Sequence, residues 1–404
     1  MKKRISISRG LRQYMMLIVL VIIILVFQWM TNGVLLKPMN VSNLINQNAY
    51  IVIIAVGMLI CILTGGNIDL AVGSVVGVVG ACAGTFIMTW GWNPYLSVLL
   101  CLIIGLLIGF WQGFWIAYVR IPAFIVTLSG QLVFKGLTMM ILKGLTISPF
   151  PEKYLDLTAG FIGSSDTRAI IARIAGYAIA AIFLALQVRT RITRKRKGYD
   201  VEPVAMMIFR MAVVGAAVIW LFSTLSNYRG IPRVFLTMGA VLLIYWFITS
   251  KTVTGRHVYA VGGNEEAARL SGVKTNRILF LAYVNMSLLA SIAAIVFSSR
   301  LNSASPQAGQ GFELDAIASC YIGGASAYGG IGNVGGVLIG ALIMGVLNNA
   351  MSILGISQDA QQVVKGLVLL AAVAFDVISK QKVQIPFLTK LLHRRRPKLQ
   401  ELSH

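Results

Sequence analysis

The side chains that most often carry catalysis are few and scattered in this sequence. The three histidines, His257, His393 and His404, form no cluster, and no Ser/His/Asp set lies on a plausible shared face. An active site built from a nucleophile and an oriented base is therefore not expected. The cysteines form no C-x-x-C pair, so neither a zinc site nor a disulfide framework is predicted. All four lie in apolar or glycine-rich stretches and are interpreted as packing residues: Cys61, Cys82, Cys101 and Cys320.

One glycine motif imitates a nucleotide site. Gly330-x-Gly332-x-x-Gly335 matches the dinucleotide-binding pattern letter for letter. That pattern binds a pyrophosphate only when it follows a strand and opens a helix in a βαβ unit, with an acidic residue for the ribose. This context is missing, and no P-loop sequence occurs anywhere in the chain. We therefore expect a membrane turn at this motif, no cofactor, and no enzyme activity in this chain.

The best-specified polar segment runs from Arg256 to Lys274, between two strongly apolar stretches. It has the pattern of a short helix with both ends defined: a capping asparagine, two glutamates, an arginine, and a glycine suited to a left-handed stop. The spacing also predicts an i,i+4 ion pair between Glu265 and Arg269. About two turns of helix are unstable alone in water, so the segment needs a surface to dock against. The residues concerned are Asn264, Glu265, Glu266, Arg269 and Gly272.

The elements that position this segment are membrane helices. Of 404 residues, 57% are hydrophobic and 12% are charged, whereas a soluble domain is about a quarter charged. The net charge of +22 does not indicate nucleic-acid binding, because the basic residues are gathered in short gaps between apolar runs. A bilayer core of about 30 Å needs roughly 20 apolar residues per helix. Twelve segments are candidates, the tenth being short enough for a half-helix: 14–32, 47–64, 71–90, 94–119, 123–143, 169–188, 204–225, 233–250, 277–298, 313–325, 333–353 and 360–379.

The distribution of Lys and Arg predicts the orientation. With the N-terminus inside, 24 of the 35 basic residues fall in five alternate gaps, which the positive-inside rule assigns to the cytoplasm. Both termini are then cytoplasmic. The predicted organisation is a basic N-terminus at 1–13, a transmembrane domain at 14–379 with a cytoplasmic loop at 251–276, and a basic tail at 380–404. The tail is interpreted as an anchor to anionic lipid headgroups.

Several polar side chains fall in or between the predicted spans. Such groups usually face the interior of a helix bundle, where they either line a pathway or form interhelical hydrogen bonds, and the sequence leaves both open. For Asp69 a capping role at the third span takes precedence over a path role. No carboxylate is predicted deep within a span. The candidate path residues are Asp69, Gln112, Gln131, Lys135, Asn285, Asn348 and Asn349.

Glycines recur every three or four residues in three spans. Small residues at this spacing let helices approach closely, either within one chain or between subunits, and we favour packing within the chain. The stripes are Gly73, Gly77, Gly80 and Gly84; Gly105, Gly109 and Gly113; and Gly332, Gly336 and Gly340.

Three motifs together resemble the permeases of binding-protein-dependent monosaccharide ABC importers. They are the segment 262–272 (GGNEEAARLSG), the segment 66–74 (GNIDLAVGS), and the pair 322–326 (IGGAS) with 329–332 (GGIG). Their order and spacing cover roughly residues 40–380. The added pair of spans at about 169–225 is similar to the xylose and multiple-monosaccharide members rather than to the ribose type.

The resemblance implies an all-α, polytopic fold of the type II importer class, with about twelve transmembrane or half-membrane helices, in a bacterial cytoplasmic membrane. It implies a separate ABC ATPase on the cytoplasmic side, an extracytoplasmic sugar-binding protein, a second permease copy forming a homodimer, and xylose or a similar monosaccharide as cargo. It also implies that the polar segment contacts the ATPase. Residues assigned to this coupling surface are Gly263, Asn264, Glu265, Glu266, Ala268, Arg269, Ser271 and Gly272.

The alternative from another class is a secondary sugar transporter driven by an ion gradient, without an ATPase. The lack of a predicted deep carboxylate counts against it, because ion-coupled carriers commonly place acidic residues in the membrane.

Overall fold

The computed structural model describes residues 2–199 and 204–381, and its regular elements are helices. In this part of the chain, strand-like pairing is limited to two isolated bridges, Ile147 with Ala304 and Phe161 with Pro232. Most of the predicted tail, from residue 382 onward, lies outside the described residues. The helices are α1 (Lys2–Met30), α2 (Pro38–Leu63), α3 (Val72–Gly84), α4 (Pro94–Ala117), α5 (Ala123–Leu142), α6 (Glu152–Thr158), α7 (Arg168–Arg196), α8 (Val204–Ser226), α9 (Arg233–Lys251), α10 (Val253–Gly263), α11 (Glu265–Leu270), α12 (Thr275–Leu301), α13 (Phe312–Ile322), α14 (Val334–Ile353) and α15 (Gln358–Gln381).

The protein is an all-α, multi-pass membrane protein. Each of the twelve predicted segments contains a helix, and α3 continues through a π-helical turn, Thr85–Thr89. Among the described residues, nine helices are long and apolar enough to cross a membrane. The tenth predicted segment is the 11-residue α13, which is too short to cross a bilayer alone.

Helix α2 forms the centre of the bundle. Nearly all of its residues from Asn48 to Leu63 are buried, because α9, α12, α13 and α14 pack around it. A helix that is apolar on every face, as this one is, is stable only when protein or lipid surrounds it. The outer helices are buried on narrow faces and present apolar side chains outward, as lipid-facing helices do.

The glycine stripes serve packing within the chain. A Cβ at Gly109 would lie 2.6 Å from the Cα of Val284 on α12, and Gly113 faces Phe280 of the same helix. On α14, Gly336 and Gly340 lie against the backbone at the end of α13. These helices therefore approach at backbone distance, as the preferred interpretation predicted.

Between α12 and α13 the chain turns back into the membrane. Ala304 pairs with Ile147 just beyond the end of α5, and residues 305–311 then run along α3. The backbones of Gly309 and Gly73 are in direct contact, with no room for a Cβ on either residue. As a result α13 begins well inside the bundle. We call residues 305–311 the re-entrant segment.

Helices α7 and α8 form the added pair at the edge of the molecule. They pack chiefly on each other, and most of their surface is exposed and apolar. The chain enters and leaves the pair at one place. There the amide of Ile162 donates to the carbonyl of Ile231 at 3.0 Å, and Gly230 lies against Arg168.

Candidate coupling surface and membrane path

The polar segment folds into the short helix α11 with both predicted end signals in place. Asn264 Oδ1 accepts a hydrogen bond from the amide of Ala267 at 2.9 Å, which is the N-cap interaction. Gly272 has φ +86°, and the amide of Val273 donates to the carbonyl of Ala268 at 3.0 Å, which closes the C-terminus. Ser271 Oγ donates to the carbonyl of Ala267. Local sequence therefore determines both boundaries of α11.

The predicted ion pair between Glu265 and Arg269 is wrong. Arg269 instead pairs with Glu266 at 2.7 Å, and Glu265 pairs with Arg120 of the loop between α4 and α5 at 2.8 Å. Arg120, with φ +65°, also donates to Asn276 at the start of α12. Glu265 pairs with Arg120 in preference to its i,i+4 neighbour Arg269, because tertiary packing brings Arg120 alongside the short helix. Glu265 therefore ties α11 to the neighbouring loop.

Helix α10, which precedes α11, was missed in the sequence. It is capped by Thr252, whose hydroxyl accepts from the amide of Gly255 at 3.1 Å, and it buries Val258 and Val261. The spacing of these two valines is helical, but the flanking glycines obscure the pattern. The predicted coupling segment therefore folds as a pair of helices, α10 and α11, which we call the coupling module.

The coupling module rests on the end of α2 and on the turn after α13. A Cβ on Gly262 would overlap the carbonyl oxygen of Leu63 and lie 2.6 Å from the amide of Gly330. That amide donates to Leu63 O at 3.1 Å, and Tyr259 Oη donates to Gly332 O at 2.7 Å. Gly262 is thus the sterically constrained glycine, whereas Gly263 has open space around it. The motif Gly330-x-Gly332-x-x-Gly335 forms the turn before α14, and this turn contacts the coupling module.

The outward face of α11 combines charge with one large apolar group. Glu266 and Arg269 have 63% of their side chains exposed, and Leu270 is 80% exposed. Ala268 points inward and is buried. The exposure of Leu270 was not predicted, although its position next to Arg269 in the predicted short helix could have indicated that it lies on the same outward face. Leu270 thus adds a single apolar group to a charged face.

Of the seven candidate path residues, the structure brings two together. Gln131 and Lys135 of α5 line a cavity of about 170 Å³ whose other walls are α3, the re-entrant segment and Glu313. Gln131 Nε2 donates to Glu313 Oε1 at 3.2 Å. Glu313 is buried, and Lys135 is exposed at the open side of the cavity.

The other five candidates lie elsewhere, with local partners. Asp69 lies in the turn between α2 and α3, where its Oδ1 accepts a hydrogen bond from the amide of Ala71 at 2.8 Å and holds the turn that precedes α3. Burial raises the pKa of Asp69 to about 7, against the lowering effect of that hydrogen bond. The remaining four are buried or half-buried contacts: Gln112 with Ser287, Asn285 with Tyr245, Asn348 beside Asp315, and Asn349 with Asn40 and Gln47.

The expectation that no carboxylate lies deep within a span stays a prediction, but two acidic side chains are buried in the helix bundle. Glu313 and Asp315 in the first turn of α13 are both buried, and Asp315 pairs with Lys365 of α15 at 3.0 Å. The re-entrant segment brings the start of α13, and both acids with it, into the bundle.

These elements form a multi-pass helical bundle with a polar surface segment and a cavity that has polar walls. The chain matches the family model described as branched-chain amino acid transport system / permease component over residues 40–373, and it belongs to that family. It is therefore an integral inner-membrane transport subunit and not an enzyme.

Individual relatives are similar over nearly their whole length. The xylose transport system permease protein XylH of Escherichia coli K12 is 39% identical over 379 residues, covering 93% of this chain and 94% of the relative. The protein of the same name from Haemophilus influenzae is 37% identical over 376 residues, covering 93% and 99%. The ribose import permease protein RbsC of Bacillus subtilis is 34% identical over 371 residues, covering 92% and 94%. No solved structure matches the chain.

Proposed function

We propose that this chain is the membrane permease subunit of an ATP-driven importer of a monosaccharide, xylose or a similar pentose or hexose. The coupling module carries the proposal, because it presents Glu266, Arg269 and Leu270 outward while its inner side contacts the membrane core. The names of the relatives support xylose and ribose as the class of cargo.

In this mechanism a separate ATPase binds the outward face of α11 and supplies the energy. Closure of the ATPase displaces the coupling module, and the displacement passes to α2 through Leu63 and to α13 and α14 through Gly330. These contacts are between backbones, and they transmit motion without rearranging side chains. The contact of Glu265 with Arg120 carries the same motion to α4 and α5.

The remaining partners follow from this arrangement. A sugar-binding protein delivers cargo at the outer face, a second copy of the permease completes a homodimer of the type II class, and both termini lie in the cytoplasm. The 24 basic residues gathered in alternate gaps support this orientation. The coupling contacts are assigned to residues 263–266, 268, 269, 271 and 272, with Leu270 added because of its exposure.

The test measures sugar uptake and ATP hydrolysis in vesicles that contain the permease, its ATPase and the binding protein. The charge-swapped variant Glu266→Arg with Arg269→Glu keeps an ion pair within α11 but reverses the charges offered to the ATPase. We expect complex insertion to be normal and uptake to fall by about tenfold or more, since like charges placed across an interface cost several kcal/mol.

Normal uptake by the charge-swapped variant would contradict the coupling assignment. Sugar uptake by the wild-type permease under a proton or sodium gradient, without the ATPase, would contradict the proposed function itself. The control is Glu152→Gln at the first residue of α6, which changes an exposed acid outside the coupling module.

A further inference from the structure

The cavity between α3, α5 and the re-entrant segment is a polar space inside a membrane domain. Gln131 and Lys135 lie about 12 and 18 Å along α5 from Ala123, at the 1.5 Å rise of a helix, within a hydrocarbon core of about 30 Å. Gln310 and Lys135 are exposed on the same side. Irregular backbone and charged groups at this depth are stable only against protein or a water-filled path, not against lipid. The open side of the cavity therefore faces another protein surface or a water-filled path, and not lipid.

The lining is suited to hydroxyl groups. Glu313 offers carboxylate oxygens as acceptors, Gln131 and Gln310 offer both donors and acceptors, and Ser74 adds a hydroxyl. The lining has one acidic and one basic side chain, Glu313 and Lys135, so it lacks the cluster of basic groups that a phosphorylated ligand requires.

The size of the cavity also restricts the ligand. Its volume of about 170 Å³ is below the roughly 300 Å³ at which pockets for drug-sized molecules begin, and it corresponds to about six water molecules at 30 Å³ each. A single small polyhydroxylated molecule fits this space.

We propose that this cavity is a binding site for one neutral monosaccharide during its passage through the permease, with Glu313 and Gln131 bonding its hydroxyls. The proposal rests on the proposed function. It goes further in giving the permease its own sugar contact, separate from selection by the binding protein. The hydrogen bond between Gln131 and Glu313 holds both groups in place when the site is empty.

The test uses the full permease–ATPase complex in nanodiscs without the binding protein, and it measures D-xylose binding by saturation-transfer NMR. We expect wild type to bind xylose weakly, Glu313→Gln to weaken binding about tenfold, and Gln131→Leu to weaken it about two- to tenfold. Glu152→Gln is the matched control and should bind as wild type does. Xylose phosphate and leucine serve as negative probes.

Three results would overturn the proposal: unchanged xylose binding in both variants, no xylose binding by a wild-type complex that is active in uptake, or binding of leucine in preference to xylose. If Glu313→Gln does not fold, as judged by its melting temperature, Gln131→Leu decides the question. Failure of the proposed function appears separately, as absence of uptake by wild type with its ATPase and binding protein.

Discussion

Substitution of alanine for Gly262 is expected to damage the coupling module, whereas alanine at the next residue, Gly263, is not. Both glycines are helical in α10, so neither substitution meets a forbidden backbone conformation. The two positions differ in the atoms that an added Cβ would meet. A Cβ at position 262 overlaps Leu63 O and lies 2.6 Å from the amide nitrogen of Gly330, while a Cβ at position 263 has nothing within 4 Å.

The magnitude follows from the backbone shift that Gly262→Ala requires. Ordinary contact begins at 3.4 Å, whereas the Cβ would lie 1.7 Å from Leu63 O and 2.6 Å from Gly330 N, so these atoms must move away by about 1.7 Å and about 0.8 Å. Overpacking of this kind costs about 1–3 kcal/mol. The hydrogen bond from Gly330 N to Leu63 O, 3.1 Å long, is lost as well, and this adds about 1 kcal/mol. The expected loss of stability is thus roughly 2–4 kcal/mol, whereas Gly263→Ala should stabilise α10 by about 0.5 kcal/mol or more.

The assay compares the two variants in purified form and in cells. Melting in detergent should show Gly262→Ala lowered by about 4 °C or more and Gly263→Ala at or above wild type. Uptake should be lost with Gly262→Ala even at a temperature where that variant is folded, because α2 and α10 no longer move together. Equal melting temperatures for the two variants, with normal uptake for both, would refute the assignment of a backbone contact at Gly262.

Three further predictions concern side chains. Asn264→Ala should lower the stability of α11 by about 1 kcal/mol and speed hydrogen exchange of its amides about fivefold, because the N-cap hydrogen bond is lost. Asn264→Asp keeps that hydrogen bond and should exchange as wild type does. Unaltered exchange in the alanine variant would contradict the cap. Lys365→Met leaves the buried Asp315 without its ion-pair partner and should lower the free energy of unfolding by about 3 kcal/mol. Adding Asp315→Asn should restore part of the melting temperature. A double variant that melts no higher than Lys365→Met would count against the ion pair. Burial raises the pKa of Asp69 from 3.8 to about 7, so the folded state favours its neutral form and stability should fall as pH rises from about 4 to about 7. Melting at pH 5 and pH 8 should show this fall in wild type and a smaller one in Asp69→Asn; equal falls in the two proteins would assign the effect to another group.

Features set by short-range chemistry were predictable from the sequence. Apolar length gave the twelve helical segments, and the cap at Asn264 and the stop at Gly272 were defined by residues within one turn. The resemblance of three motifs indicated the family. None of these features depends on how distant parts of the chain meet.

The features that were missed depend on tertiary packing. Glu265 pairs with Arg120 because a loop 145 residues earlier lies beside α11, and no local spacing encodes that. The burial of Glu313 and Asp315 was not predicted, because hydropathy alone does not show that residues 305–311 turn inward. The same inward turn brings Glu313 to Gln131, so the cavity itself was not predictable from the pattern of either helix.

The point where the chain enters and leaves the α7–α8 pair indicates how this pair could have been added during evolution. The backbones of Ile162 and Ile231 are hydrogen-bonded to each other. Residues 163–230 therefore form an inserted segment whose two ends meet. Insertions are tolerated where the two ends of the added segment meet at the surface, since the flanking chain keeps its path. A shorter ancestor could therefore acquire or lose these two helices in a single genetic step, with the core around α2 left in its original register.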